Sequence, residues 1–268
     1  MTISPTTPVH ITFDPDNHQY RYKARKIPSV TGITGNLSKD ALTYWAANQG
    51  ADAFARQVDE WLAFDGTVIL DDQRVSELYT LIRNAHREVK NTAAAKGNAV
   101  HAAIEKYHTD FFSAERPDDP EQAAAWDAFI AWWRDSPYRC VATEVMVNGF
   151  DGEYSGRFDL LVEHEQTNAQ YVVDIKTGNG TYEDHLAQLA GYAAALEHDG
   201  YMIAGTKVVW LPSGCTRAVV VERDDAEWRA DFDAFEHLLR VHQWRKPTAK
   251  FMRQICKMYH PDATVGAK

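Results

Sequence analysis

Apolar positions in the middle of the chain recur at the two-residue spacing of β-strands and predict a three-stranded meander. Residues 141–147 and 153–163 form the first two predicted strands, and the glycine-containing stretch 148–152 predicts the turn between them. An apolar run at 170–175 predicts a third strand that returns after the polar turn 164–169. The meander is therefore the expected centre of the fold.

The segments around the meander predict an N-terminal hairpin and mainly helices elsewhere. A Pro-Asp-Asn turn at 15–17 between two alternating runs predicts the hairpin. In the segment 121–135 the aromatic residues recur at spacings of three and four, which favours core packing over a base-stacking platform. The predicted helices cover 38–64, with Ser38 as N-cap, 74–111, where Gly97 permits a break, 121–135, 183–197 and 225–244, and two further strands cover 206–211 and 217–222.

Charged residues stand at the end of the third strand, where an apolar run would otherwise continue. Asp174 and Lys176 are two residues apart, so their side chains project from one face of the strand. Desolvating both charges costs several kcal/mol each unless they are paired or bind a metal. If the turn is centred between residues 166 and 167, Asp159 lies directly opposite Asp174, with Cβ atoms roughly 4.5–5.5 Å apart. Two carboxylates that close repel each other unless a cation lies between them.

The same spacing occurs a second time along the meander. Glu144 precedes Asp159 by as many residues as Asp159 precedes Asp174, so a regular meander aligns all three acids across one face. A register slip of one residue would turn one of them away. Oxygen ligands at this spacing suit a hard divalent cation, and together with Lys176 they suggest a metal-dependent phosphodiesterase.

This set of residues resembles the PD-(D/E)XK nuclease superfamily and, within it, the RecB-like exonuclease group of phage recombination and CRISPR-adaptation nucleases. The resemblance covers about residues 96–196. It rests on Asp159, Asp174-x-Lys176, the segment Lys96-Gly97-Asn98-Ala99-Val100-His101, which is similar to the histidine motif of that group, Gly156-x-x-Asp159 and Gln188-x-x-x-Tyr192. Asp-x-Lys alone is weak, because it occurs by chance in many proteins, whereas the ordered set is specific.

The resemblance implies a metal site with a lysine beside it. The expected ligands are His101, Asp159, Asp174 and the backbone carbonyl of Ile175, and the expected ion is Mg²⁺ or Mn²⁺, with the imidazole favouring Mn²⁺. Lys176 is expected beside the attacking water and the scissile phosphate, where it offsets the charge that develops in the transition state.

Four further residues are candidates for the site. Glu144 either binds a second metal or holds a water molecule; the alternative is a purely structural acid on an edge strand. Gln188 and Tyr192, four apart on one helix face, either support the lysine and the DNA backbone or simply pack. Arg157 is a candidate phosphate contact. Other histidines, such as His18, lack comparable spacing and are interpreted as ordinary residues.

Composition adds limits to the expected function. The net charge of −10 argues mildly against DNA binding, but this argument is weakened because the charges are unevenly distributed along the chain. A segment without acidic residues near the C-terminus contains Arg240, Arg245, Lys246, Lys250, Arg253 and Lys257. It is interpreted either as a phosphate-contacting surface or as a solvated helix face. The cysteines, Cys140, Cys215 and Cys256, are too few for the iron–sulfur cluster of some relatives, so no such cluster is expected.

The sequence therefore predicts an α/β fold: a mixed central β-sheet flanked by helices, with an N-terminal β-hairpin and helical additions. We expect an N-terminal region at 1–95, a nuclease core at 96–225 and a basic helical extension at 226–268. The expected function is metal-dependent DNA exonuclease activity in phage or bacterial recombination or repair. The alternatives are a catalytically silent DNA- or recombinase-binding module and a structure-specific endonuclease.

The expected partners are DNA and a single-strand annealing or single-strand-binding protein. No apolar run approaches 18 residues, so no membrane span is expected. The expected location is the cytoplasm, because widely spaced cysteines without a paired motif are typical of a reducing compartment.

Overall fold

A computed structural model describes residues 10–37, 40–63, 66–214 and 216–259. The predicted N-cap Ser38 lies outside the described residues. The chain opens with a small antiparallel sheet of three strands followed by a short helix. These elements are β1 (Ile11–Asp14), β2 (Gln19–Tyr22), β3 (Arg25–Ile27) and α1 (Val30–Thr34). The Asp14 side chain closes the hairpin turn by accepting bonds from the backbone N–H groups of Asp16 and Asn17.

Three long helices follow. They are α2 (Asp40–Trp61), α3 (Asp72–Thr109) and α4 (Pro120–Asp135), with a short 3-10 turn between the last two. Asp71 and Asp119 cap α3 and α4 through their side chains. The aromatic stripe of α4 lies in the core, as predicted, with Phe129 fully buried.

Helix α3 is continuous through Gly97, although the sequence permits a break there. A Cβ atom at Gly97 would lie 2.9 Å from the Thr177 hydroxyl oxygen. The glycine is therefore needed for close approach of this helix to the neighbouring strand, and the small loss of helix propensity is outweighed by packing.

The central sheet has the order β4-β5-β6-β7-β8, and only the β6–β7 pair is parallel. Helix α5 makes the crossover between these two strands. The elements are β4 (Tyr138–Gly149), β5 (Tyr154–His164), β6 (Gln170–Gly178), α5 (Glu183–His198), β7 (Ile203–Pro212), β8 (Val219–Asp224) and α6 (Asp225–Tyr259). Buried clusters cover both faces of the sheet, one against α1, α5 and α6 and the other against α3 and α4. The predicted fold class is confirmed.

The register of the meander agrees with the prediction. Leu160 pairs with Val173, so the ladder between β5 and β6 places position 159 opposite position 174. In the β4–β5 ladder the register of the pairs on either side, such as Thr143 with Leu160, places Glu144 opposite Asp159. Neither of the two acid pairs is itself part of a ladder: the β4–β5 register skips Glu144 and Asp159, and the β5–β6 ladder stops one pair short, at Leu160 and Val173.

Helix α6 differs from the prediction, since it continues past residue 244 to Tyr259 with Pro247 inside it. Proline removes the hydrogen bond to the carbonyl four residues earlier, that of Gln243. Gln243 is exposed, so water can take the place of that bond and the helix is not obliged to end. Among the described residues, no helix combines the length and apolarity that crossing a membrane requires.

Candidate active site

His101 and Asp159 meet where α3 passes over the central sheet. The His101 Nδ1 atom lies 2.8 Å from Asp159 Oδ1. The other oxygen of Asp159 accepts a hydrogen bond from the backbone N–H of Ile175 at 2.5 Å. Strands β5 and β6 have just left their ladder at this point, so the Asp159 carboxylate satisfies a backbone donor that the ladder no longer pairs.

Glu144 joins this pair from β4. His101, Glu144 and Asp159 each offer one ligand atom, and these atoms lie within 4.8 Å of one another. One imidazole nitrogen and carboxylate oxygens are donors that suit a divalent ion such as Mn²⁺ or Mg²⁺. The donor set therefore fits the expected metal.

Glu144 reaches this group from an unusual backbone conformation. Its φ angle is +48°, in the left-handed region that residues other than glycine seldom adopt. The conformation interrupts the β4–β5 ladder at this one position, between two regular pairs. Strain of this kind persists where the surroundings enforce it, and it is frequent at functional sites.

Asp174 and Lys176 form an ion pair at the end of β6, with Lys176 Nζ 2.5 Å from Asp174 Oδ2. Asp174 is only 4% exposed. Lys176 also donates to Gln188 Oε1 at 3.3 Å, and Gln188 Nε2 donates to the Tyr192 hydroxyl at 2.9 Å. The lysine is thus held between an acid on its own strand and Gln188 of α5, which in turn contacts Tyr192.

The two central aspartates differ in acidity. Burial and the charge of Asp159 raise the pKa of Asp174 above its ordinary value, against the opposing effect of Lys176. Burial also disfavours ionisation of Asp159, but His101, Lys176 and the Ile175 N–H outweigh it and lower the pKa of Asp159. Burial and the charge of Asp159 raise the pKa of the Glu144 carboxyl. Negative charge is thus crowded in this region.

The nearby carboxylates raise the pKa values of both cationic partners, His101 and Lys176. Burial alone would lower the pKa of His101, but Asp159 and Asp174 overcome it and raise that pKa to about 9. The pKa of Lys176 is likewise raised, because Asp174 and Asp159 outweigh its desolvation. Without a metal, His101 is therefore protonated at neutral pH and acts as a counter-ion to Asp159. A metal that binds here must displace that proton.

Gly156 in the Gly156-x-x-Asp159 motif serves a packing purpose. A Cβ atom at this position would lie 2.5 Å from Tyr192 Cε1 and 3.0 Å from Val30 Cγ2. The glycine therefore allows the fully buried Tyr192 ring to pass close to β5 and to place its hydroxyl against Gln188.

These groups line one cleft of about 270 Å³. Arg157 also lies there, and its Nη1 atom is 3.5 Å from Glu144 Oε2. Phe13, His18 and Tyr20 of the N-terminal sheet form another part of the wall. Sequence reasoning missed these three residues, because nothing in their spacing connects the hairpin with a strand more than a hundred residues away.

The basic residues near the C-terminus whose side chains the structure describes do not line the cleft. Arg245 donates to Asn36 Oδ1 at 3.2 Å, which ties α6 to the residues after α1. Lys246, Lys250 and Arg253 are exposed on α6. The side chain of Lys257 lies outside the described part of the structure.

Comparison with known families agrees with this site. The model of the PD-(D/E)XK nuclease superfamily matches residues 123–257, just over half of the 268-residue chain. The chain therefore belongs to the PD-(D/E)XK nuclease superfamily. Membership, together with the group of His101, Glu144 and Asp159, suggests a metal-dependent nuclease, and a nuclease domain implies DNA as the substrate.

Two further comparisons add little. No curated protein matches the chain. A solved structure described as "Crystal structure of SSO0001" is 13% identical, with a TM-score of 0.30 over 74% of this chain and 86% of that one.

Proposed function

We propose that this protein is a metal-dependent DNA exonuclease of the RecB-like group that acts in phage or bacterial recombination or repair. The observation that carries the proposal is the convergence of His101, Glu144 and Asp159 beside the Asp174–Lys176 pair in one cleft. Structural ion pairs alone would not require three acids, an imidazole and a lysine to be desolvated together.

The ligands in this proposal are the side chains of His101, Glu144, Asp159 and Asp174, with the backbone carbonyl of Ile175. A divalent ion bound there supplies Lewis acidity for activating a water and neutralises charge on the phosphate. Asp159 is ionised because its pKa is lowered, so it is ready to act as a ligand. The protonated His101 would have to lose one proton to bind the metal, which would make metal binding stronger as pH rises.

Lys176 provides the positive charge nearest the reacting groups. Its raised pKa keeps the ammonium protonated, so it can donate to a phosphate oxygen and offset the developing negative charge. Gln188 fixes the position of the ammonium group, and Tyr192 in turn fixes Gln188. Arg157 extends the positive charge along the cleft toward an adjacent phosphate.

Exonuclease action is favoured over the endonuclease alternative by the motif resemblance. The intact acids and lysine argue against the silent binding module.

Lys250 and Arg253 on α6 are proposed as phosphate contacts outside the cleft. We also propose a single-strand annealing or single-strand-binding protein as a partner.

The test compares wild-type protein with the variants Asp174→Asn and Asp127→Asn on linear and closed circular DNA in Mg²⁺ and Mn²⁺. Asparagine keeps the shape of Asp174 but removes the charge, so cleavage should fall at least about a hundredfold, on the order of the loss of a key electrostatic group. Asp127 lies on α4 outside the cleft and pairs with Arg116, so its variant should cleave normally.

Digestion of linear but not of closed circular DNA would support an exonuclease. Cleavage of both forms would instead select the endonuclease. Full cleavage by folded Asp174→Asn protein would refute the proposed site, and binding without any cleavage by the wild-type protein would favour the silent module.

A further inference from the structure

An aromatic surface from the N-terminal sheet forms the wall of the cleft beside the acids. Phe13 on β1 lies next to Tyr20 on β2, with ring centroids 4.6 Å apart, and next to His18 in the hairpin, with centroids 5.2 Å apart. Tyr20 is buried against Ile11 and Ile27. Phe13 is half-buried and His18 is exposed, so these two rings are the ones that remain accessible from the cleft.

Contacts to the central sheet hold the hairpin in place. Arg25 Nη2 donates to the carbonyl of Gly152 at 3.0 Å, and the Ser155 N–H donates to the carbonyl of Pro28 at 3.0 Å. At Gly152, where φ is +91°, a Cβ atom would lie 2.3 Å from the Tyr22 ring. The aromatic wall is therefore packed against β4 and β5 rather than carried by a free loop.

Arg157 connects this wall to the acidic group. Its guanidinium carbon lies 5.3 Å from the centroid of the Phe13 ring, and its Nη1 atom lies 3.5 Å from Glu144. A phosphate that accepts from Arg157 would place its attached nucleoside within reach of the Phe13 ring. Stacking on aromatic faces is the sequence-independent way in which proteins hold an unpaired base.

We propose that Phe13, extended by His18, stacks the nucleobase beside the scissile phosphate, so that the cleft accepts one unpaired DNA strand. The inference deepens the proposed nuclease function and rests on it. The cleft, about 270 Å³ in volume, holds the acids, Arg157 and the Phe13 ring side by side, so a phosphate and its own base could be bound together there. A base within a duplex has both faces covered by its neighbours, so it must leave the stack before it can contact Phe13.

The competing explanation is that Phe13 only packs against Arg157 and positions it. The two explanations differ in one respect: stacking requires the base, whereas positioning Arg157 requires only the phosphate. An experiment that removes the ring and the base separately, and then both together, distinguishes them.

Binding is measured by fluorescence anisotropy in the presence of Ca²⁺, with the Asp174→Asn substitution present in every protein to prevent turnover. The ligands are an internally labelled single-stranded oligonucleotide and the same oligonucleotide with abasic residues at both ends. Phe13→Ala should weaken binding of the normal oligonucleotide by roughly 5- to 100-fold, the loss expected for one base–aromatic stack. Abasic ends should cause a similar loss with Phe13 present and little further loss in Phe13→Ala.

Three variants serve as controls. Phe13→Tyr should retain normal binding, and Phe13→Leu should retain the apolar contact with Tyr20 and the fold while losing the stack. Phe112→Ala removes a phenylalanine that is 99% exposed and lies away from the cleft, so it should change neither binding nor its dependence on the base.

Equal losses for Phe13→Ala or Phe13→Leu on both oligonucleotides would overturn the inference and leave Phe13 as a positioning residue for Arg157. Absence of any loss, or absence of binding to either oligonucleotide, would also overturn it. Because this assay measures binding without turnover, a failure of stacking is separate from a failure of the cleavage assay that tests the proposed function.

Discussion

The left-handed backbone at Glu144 should reverse the usual order of stability between a glycine and an alanine variant at a strand position. Replacing Glu144 with glycine should give a more stable protein than replacing it with alanine. Both changes remove the same half-buried carboxylate, so its loss cancels in the comparison. What remains is the cost of holding a Cβ atom at a φ of +48° in the middle of β4.

The magnitude follows from two opposing effects. The left-handed conformation costs about 1–2 kcal/mol for a residue with a Cβ atom and almost nothing for glycine. In an ordinary strand position glycine is less favourable than alanine by roughly 0.5–1 kcal/mol because it loses more backbone entropy. Glu144→Gly should therefore be more stable than Glu144→Ala by about 0.5–1 kcal/mol.

Thr143 offers a matched control on the same strand. It is similarly half-buried, and it pairs regularly with Leu160. Thr143→Gly should be less stable than Thr143→Ala by roughly the ordinary 0.5–1 kcal/mol, so the two positions should differ by about 1–2 kcal/mol in the glycine–alanine comparison. Urea unfolding of the four variants, with a chelator present, measures this difference. The same order at both positions would refute the strain argument.

Other features of the site lead to three further predictions. In the metal-free protein, the interactions that raise the pKa of His101 should stabilise the fold fully below pH 6.5, and this stabilisation should be lost as pH rises through about 9. Urea unfolding of His101→Gln should lack that decline in stability. Gly156→Ala should lower the free energy of unfolding by about 1–3 kcal/mol through overpacking against Tyr192, and an unchanged thermal melt would contradict this. Replacing Lys250 and Arg253 with neutral residues should make DNA affinity less dependent on salt, without changing the thermal melt. The slope of log affinity against log salt concentration should fall by roughly one unit for each phosphate that is no longer neutralised, and an unchanged slope would remove α6 from the DNA-binding surface.

The motif glycines can be recognised from the sequence, but the reason for them is found only in the tertiary structure. Gly97 and Gly156 could be recognised from the sequence as parts of the motifs. Their purpose depends on Thr177 and Tyr192, which come close only after the helices have packed on the sheet. The spacing of residues in the sequence does not reveal how close these side chains come to the two glycines.

The sequence by itself determined the meander and its register. Side chains alternate with a period of two and the turns are short, so the positions of the turns place Asp159 opposite Asp174 without any knowledge of the rest of the chain. The same local rules predicted the helices that flank the sheet. The ends of elements were less certain, and Pro247 did not terminate α6, because helix termination also depends on whether solvent can replace a lost bond.

Only the tertiary structure decided how the remaining groups are arranged around the acids. It turned Glu144 out of the ladder, paired Asp174 with Lys176, and placed Phe13 and His18 in the wall of the cleft. The register of a hairpin is set by interactions between neighbouring residues, which a sequence displays directly. The position of one hairpin against another sheet depends on packing between distant segments, and many sequences of similar pattern could satisfy that packing in different ways.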